Sequence, residues 1–205
     1  MKTTIRSWTR DRPVNSPFAL PRGILGRLAG QIMLRTNTQR ELLDPLAVRS
    51  GSRVLEVGYG PGALIQLLLN HSTASQICGV DPSPDMLRFA SRRNHKAIAT
   101  GRLDLRLGTA EETGFSDQSF DHVVSANTVA IWSDLHAGLR ELHRVLRPEG
   151  TLLIAWHSKN APSPIARANG LPEDTLDQIR RGLDELFSTV TRHDLTHVVA
   201  FVAVR

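Results

Sequence analysis

The sequence predicts an α/β fold, a doubly wound parallel sheet covered by helices on both faces. Three observations predict it. After Gly51 five short apolar runs alternate with helical segments, the order that parallel strands joined by crossovers require. The first run leads straight into a glycine-rich turn and a helix. The length of 205 residues, with 40% hydrophobic and 22% charged, suits one core-burying unit with a short appendage.

The elements follow in order. Residues 1–22 hold Pro13, Pro17 and Pro21 among polar neighbours and read as an irregular arm. From Gly23 to Arg35, Ile24, Leu25, Leu28, Ile32 and Met33 recur at helical spacing. A second helix is expected near Thr38 to Val48, opened by a Thr38/Glu41 capping box and kinked at Pro45. Strands are expected at Arg53–Val57, Gln76–Val80, Leu103–Leu107, His122–Ser125 and Thr151–Ala155. Helices are expected at Ala63–Asn70, Pro84–Asn94 and Asp134–Leu146, the last stopped by Arg147-Pro148-Glu149-Gly150. A helix near Glu173 to Phe187 precedes two runs, Ser188–His193 and His197–Val204, which are three residues apart and must form an antiparallel hairpin. This divides the chain into an N-terminal arm with a helical lid, residues 1–50, and a ligand-binding domain, residues 51–205.

Composition excludes several classes. A single cysteine, Cys78, rules out an internal disulfide and a cysteine-based zinc site. No His or Cys cluster has metal-ligand spacing, so no metal is expected. Met1 to Arg12 is polar, and nothing later reaches the ~18 apolar residues of a membrane span. A cytoplasmic location is the expectation. No 20–50-residue period recurs, which excludes repeat architectures. The net charge of +5 is uneven: Met1 to Arg53 carries ten Lys and Arg against three acids, the remainder fifteen against seventeen. Such a basic quarter can meet an acidic substrate, a nucleic acid or an anionic membrane, or can simply be a solvated Arg-rich face.

The chemistry sits in two turns. Val54 to Gly62, VLEVGYGPG, places a buried strand before a turn in which Gly58 and Gly60 let a ligand approach the backbone. The same letters fit a dinucleotide fingerprint, so the glycines alone do not choose the cofactor. Glu56 bears on the choice, because a carboxylate beside a helix N-terminus repels a pyrophosphate and attracts an ammonium-bearing ligand. The alternative is that Glu56 only hydrogen-bonds the turn's own amides. Asp81 ends the second strand, 21 residues beyond Gly60, where an acid accepts hydrogen bonds from ribose hydroxyls or else caps the following helix.

From Val54 to Trp156, through VLEVGYGPG, GVDPSPDML, LGTAEETGFSDQSFDHVVSANTVAIW and LRELHRVLRPEGTLLIAW, the chain resembles the class I S-adenosylmethionine-dependent methyltransferases, of the small bacterial type acting on small molecules. The resemblance implies a Rossmann-like seven-stranded sheet in the order 3-2-1-4-5-7-6 with the last strand antiparallel. It implies Glu56, Gly58, Tyr59, Gly60 and Gly62 around the methionine moiety, Asp81 on the ribose, and Pro82 and Met86 beside the adenine. Thr109, Ala110 and Glu111 would face the adenine edge. Relatives usually carry Asp where this chain has Thr109, which leaves open whether Thr109 or Glu111 meets the adenine amino group.

Ligands of such sheets bind beyond the carboxyl ends of the strands, which selects Ser125 to Trp132 and Trp156 to Lys159. Asn127 offers a donor and an acceptor near the sulfonium, and Trp132 or Trp156 can stack on an acceptor or simply pack. His157 is the candidate base for a hydroxyl acceptor. His122, His136, His143, His193 and His197 read as structural. The segment FALPRGILGRLAGQIM, with Gly23, Gly26 and Gly30, is the expected lid, its Arg22, Arg27 or Arg35 meeting an acidic acceptor. The expected activity is methyl transfer to O, N or C of a small organic metabolite, leaving S-adenosylhomocysteine, by a monomer or homodimer. Rearrangement or cyclisation without net methylation is the alternative. A nucleic-acid substrate is disfavoured, because no aromatic-basic platform and no Asn-Pro-Pro-Tyr-like motif accompanies the charge.

Overall fold

A computed structural model describes residues 6–13 and 39–205. Strands β1 (Arg6–Ser7) and β2 (Arg10–Pro13) pair antiparallel as a small ribbon. The main sheet comprises β3 (Arg53–Val57), β4 (Gln76–Asp81), β5 (Leu103–Leu107), β6 (Phe120–Ala126), β7 (Leu146–His157), β8 (Thr189–Asp194) and β9 (Val198–Val204). Its order is β5-β4-β3-β6-β7-β9-β8, which counted from the sheet's first strand reads 3-2-1-4-5-7-6. β3 to β7 run parallel, and β9 lies antiparallel to both β7 and β8.

The helices are α1 (Leu43–Leu46), entered through a 3-10 turn at Gln39–Leu42, α2 (Ala63–His71), α3 (Pro84–Arg93), α4 (His95–Ala99), α5 (Leu135–Val145), α6 (Pro164–Ala168) and α7 (Glu173–Asp184). Alternation along β3 sends Leu55 and Val57 to one face and Val54 to the other. On the first face α5 and α7 bury Leu139, Leu142, Ile179 and Leu183; on the second the 3-10 turn, α1, α2 and α3 bury Leu42, Leu46, Leu64, Leu68 and Met86. A sheet buried on both faces is why its strands read as near-continuous apolar runs.

Several boundaries differ from expectation. Part of the arm is ordered, not irregular: residues 6–13 form the ribbon because Trp8 anchors it. The Trp8 indole N–H donates to Val129 O at 2.6 Å, its backbone N–H to Trp132 O at 3.1 Å, and Thr9 Oγ1 to Ala130 O at 2.8 Å. The helix expected at Gly23 to Arg35, with the rest of the lid, lies outside the described residues. Thr38 of the expected capping box lies outside the described residues; the Glu41 carboxylate accepts from the His197 backbone N–H at 2.9 Å and lies 3.4 Å from His197 Nδ1, tying the 3-10 turn to the β8–β9 hairpin. Asn94 ends α3 because its side-chain amide donates to Ala90 O at 2.9 Å, and the chain restarts as α4. β6 starts two residues early, since the Asp121 carboxylate that interrupts the apolar pattern is satisfied by Arg53 N–H at 2.7 Å and by Arg147 at 2.8 Å. β7 begins at Leu146, which pairs with Phe120 before a register shift, so the expected helix stop lies inside the strand. α6, capped by Ser163, went unread in the sequence.

Candidate active site

The glycine turn joins β3 to α2 at the carboxyl end of the sheet. Gly58 has φ 78°, and a Cβ there would stand 2.3 Å from Thr128 Cγ2, so conformation and space both require glycine. Gly60 (φ 50°) and Gly62 (φ 79°) continue the turn. Tyr59 points away from it. Its ring is buried over Gly79 of β4, where a Cβ would meet Tyr59 Cδ1 at 2.7 Å, and its hydroxyl lies 3.4 Å from Arg106 O.

Two carboxylates are buried beneath the turn. Asp81 Oδ2 accepts from Gly60 N–H at 2.8 Å and Oδ1 from Ser83 N–H at 2.9 Å. Ser83, not Asp81, caps α3, through the Met86 N–H. Burial pushes the Asp81 carboxyl up to about 6, against those two hydrogen bonds. Glu56 is 2% exposed. It takes a bond from the Ile65 backbone N–H, while Oε2 has no partner among the described residues. Desolvation, reinforced by the Asp81 charge, holds its carboxyl well above the usual range. An orphaned buried carboxylate oxygen beside a second acid disfavours a phosphate and leaves a ready acceptor for a cationic or N–H-bearing ligand.

Across the turn lies the segment after β6. Asn127 is held in the left-handed region at φ 59°, its N–H donating to Ala155 O at 2.8 Å, with Oδ1 buried and without a partner among the described residues. A non-glycine residue at positive φ persists only where its surroundings fix it. Trp132 is 6% exposed, stacked where a Cβ on Gly138 would stand 2.7 Å from Cε3, and its indole N–H donates to Thr128 Oγ1 at 3.2 Å. Its ring is committed to the core. His157, half-buried at the end of β7, lies edge-on to Trp156 with centroids 6.1 Å apart, and burial lowers its pKa, keeping the imidazole neutral at physiological pH. The Trp156 indole N–H is taken by Asn169 O at 2.7 Å.

On the expected adenine side, Met86 is buried and Pro82 exposed at the start of α3. Thr109 is exposed, its Oγ1 accepting from Glu112 N–H at 3.1 Å, and Ala110 is buried in the core. Glu111 Oε1 accepts from Ser133 N–H, Ser133 Oγ and Asp134 N–H at 2.7, 2.8 and 3.1 Å, which lowers its pKa despite its burial. One Glu111 oxygen therefore ties down the entry to α5. The sequence reading missed Thr128 altogether; nothing in its spacing distinguishes it from Ser125 or Ser133. An open groove of about 800 Å³ runs along α1 past Glu41, Asp44, His71 and His197, and shares no residue with the glycine turn. Among the described residues no cluster of three or more His, Cys, Asp or Glu is arranged to hold a metal, and no helix is long and apolar enough to cross a membrane.

The family model described as "Methyltransferase domain" matches residues 55–154. The uncharacterized methyltransferase YdaC of Bacillus subtilis is 30% identical over 136 residues, 65% of this chain and 73% of that protein. Erythromycin 3''-O-methyltransferase of Saccharopolyspora erythraea is 30% identical over 114 residues, 56% of this chain and 37% of that one. A putative S-adenosyl-L-methionine-dependent methyltransferase of Methanococcus maripaludis superposes with TM-score 0.71 at 19% identity, covering 86% of this chain and 92% of its own. The chain belongs to the class I S-adenosylmethionine-dependent methyltransferases.

Proposed function

We propose that this methyltransferase transfers its methyl group to an O, N or C atom of a small organic metabolite. The observation that carries the reading is the buried acidic pair Glu56 and Asp81 under the glycine turn, one oxygen of which has no partner among the described residues. These residues fit S-adenosylmethionine. Asp81 would accept from the ribose hydroxyls, Glu56 would face the cationic amino-acid moiety across Gly58 and Gly60, and Met86 would lie towards the adenine. When bound, the cofactor supplies an activated methyl on a sulfonium, whose leaving group is a neutral thioether. What remains for the protein is alignment and exclusion of water.

Asn127 would orient groups at the acceptor mouth through its amide oxygen, which has no partner among the described residues. A neutral His157 can take a proton from a hydroxyl acceptor as the new bond forms. Trp132 supports these residues through packing rather than contact. The small-molecule class is supported by the relative whose name specifies an erythromycin hydroxyl. A monomer or homodimer without nucleic acid or resident metal completes the reading.

The test is to incubate the protein with methyl-labelled S-adenosylmethionine and fractionated metabolite extract. Label appearing in a small organic product that has gained one methyl group supports the proposal. A product of altered structure without an added methyl supports rearrangement instead, and label appearing only in RNA or DNA overturns the small-molecule reading.

A further inference from the structure

Thr128 occupies a point where the glycine turn, β6 and the entry to α5 meet. Its Oγ1 lies 3.3 Å from Val57 O, the carbonyl just before the turn, 2.5 Å from Ser125 Oγ, and 3.2 Å from the Trp132 indole nitrogen. A hydroxyl has one proton and two acceptor sites, so these three partners saturate it: Thr128 donates to Val57, while Trp132 and Ser125 donate to Thr128. Its methyl meanwhile fills the notch that the missing Cβ of Gly58 leaves. Ser125 is fully buried, and the next residue along from it towards Thr128 on the loop proper, Asn127, is the strained one with the orphan amide oxygen.

We propose that Thr128 is a positioning residue that locks the cofactor turn to the acceptor-side loop, so that seating of the cofactor depends on a side chain acting through Val57 and Gly58. The proposal rests on the cofactor reading above. It follows from the bonding arithmetic. Removing the hydroxyl leaves the Trp132 and Ser125 donors and the Val57 carbonyl without their partner. The turn and the Asn127 loop can then shift independently, and a cofactor held by Glu56, Gly60 and Asp81 meets a less defined site.

The experiment is calorimetric titration of the full chain with S-adenosylhomocysteine, comparing wild type with Thr128→Val and Thr128→Ser, alongside amide hydrogen exchange. Thr128→Val keeps shape and loses the hydroxyl; it is expected to weaken binding about tenfold and to speed exchange at residues 126–132 while the central strands stay protected. Thr128→Ser keeps the hydroxyl and is expected to restore affinity to within about threefold of wild type. Equal affinity in wild type and Thr128→Val overturns the proposal, as does equal loss in the Val and Ser variants or a loss accompanied by faster exchange throughout the sheet. Should Thr128→Val not fold, Ser125→Ala and Trp132→Phe each remove one partner of the same hydroxyl, and unchanged affinity in both overturns it. Failure of the wild type to bind at all would instead overturn the cofactor reading, so the two failures are distinguishable.

Discussion

Asp81 is the residue whose environment has the most direct consequence. Its carboxyl sits at about 6, above the ordinary 3.8, because burial outweighs the hydrogen bonds from Gly60 and Ser83. In the protein without cofactor this group therefore favours the fold fully below about 3.8, and that contribution is lost as the pH rises to about 6. Ligand binding has the opposite sign, since the ionised carboxylate is the better acceptor for ribose hydroxyls and the better neighbour for a cation. Affinity for S-adenosylmethionine should rise with pH through about 6 and then level off, with protons released on binding in that window. Titrations in two buffers of different ionisation enthalpy measure both. Asp81→Asn keeps the size but loses the charge and one acceptor, and is expected to cost about 100-fold in affinity for S-adenosylhomocysteine. Both the Asp81 position and the Glu56 position were legible in the sequence, because Glu56 stands just before the glycine turn and Asp81 closes the next apolar run ahead of Pro82. Tyr59 was not: alternation in a turn does not reveal that its ring folds back over Gly79.

At the scale of elements, the β1–β2 ribbon decides how the acceptor-side loop is held. Trp8 and Thr9 satisfy three carbonyls in the Val129–Trp132 stretch, and Trp8 packs against the core that contains Trp132. Trp8→Ala should destabilise the protein by about 2 kcal/mol, somewhat less than for a fully buried tryptophan. Exchange at Ile131 and Trp132 amides should rise more than in the central strands. Differential scanning calorimetry and hydrogen exchange check the two parts separately. The ribbon was unreadable because its partners are backbone carbonyls about 120 residues away, which no local pattern of Pro and Arg encodes. Of the five parallel strands, β3, β4 and β5 were found at or within one residue of their observed limits, whereas β6 and β7 extend beyond the expected apolar runs. The misplaced limits at Asp121 and Asn94 arise where one polar side chain is satisfied by a tertiary or local hydrogen bond, and that of β7 from the pairing of Leu146 with Phe120.

For the molecule as a whole, the question is where the folding unit begins. Leu42 and Leu46 are fully buried against α2 and the sheet, in the same core as Val54, Leu64 and Leu153. A fragment starting at residue 51 loses both, about 2–5 kcal/mol each, out of a total stability of roughly 5–15 kcal/mol. Residues 39–205 should therefore fold cooperatively and bind S-adenosylhomocysteine, whereas residues 51–205 should unfold at markedly lower denaturant concentration or fail to fold. Circular dichroism during urea titration distinguishes these outcomes. The amino-acid order alone determined the alternating architecture, the glycine turn and the two acids, because each is written within a few neighbouring residues. Only the tertiary structure decided that Trp132 packs instead of stacking on an acceptor, that Glu111 braces the loop before α5, and that Thr128 meets Gly58. Those outcomes depend on which groups satisfy one another across the sheet, a matter of three-dimensional proximity that separation along the chain does not carry.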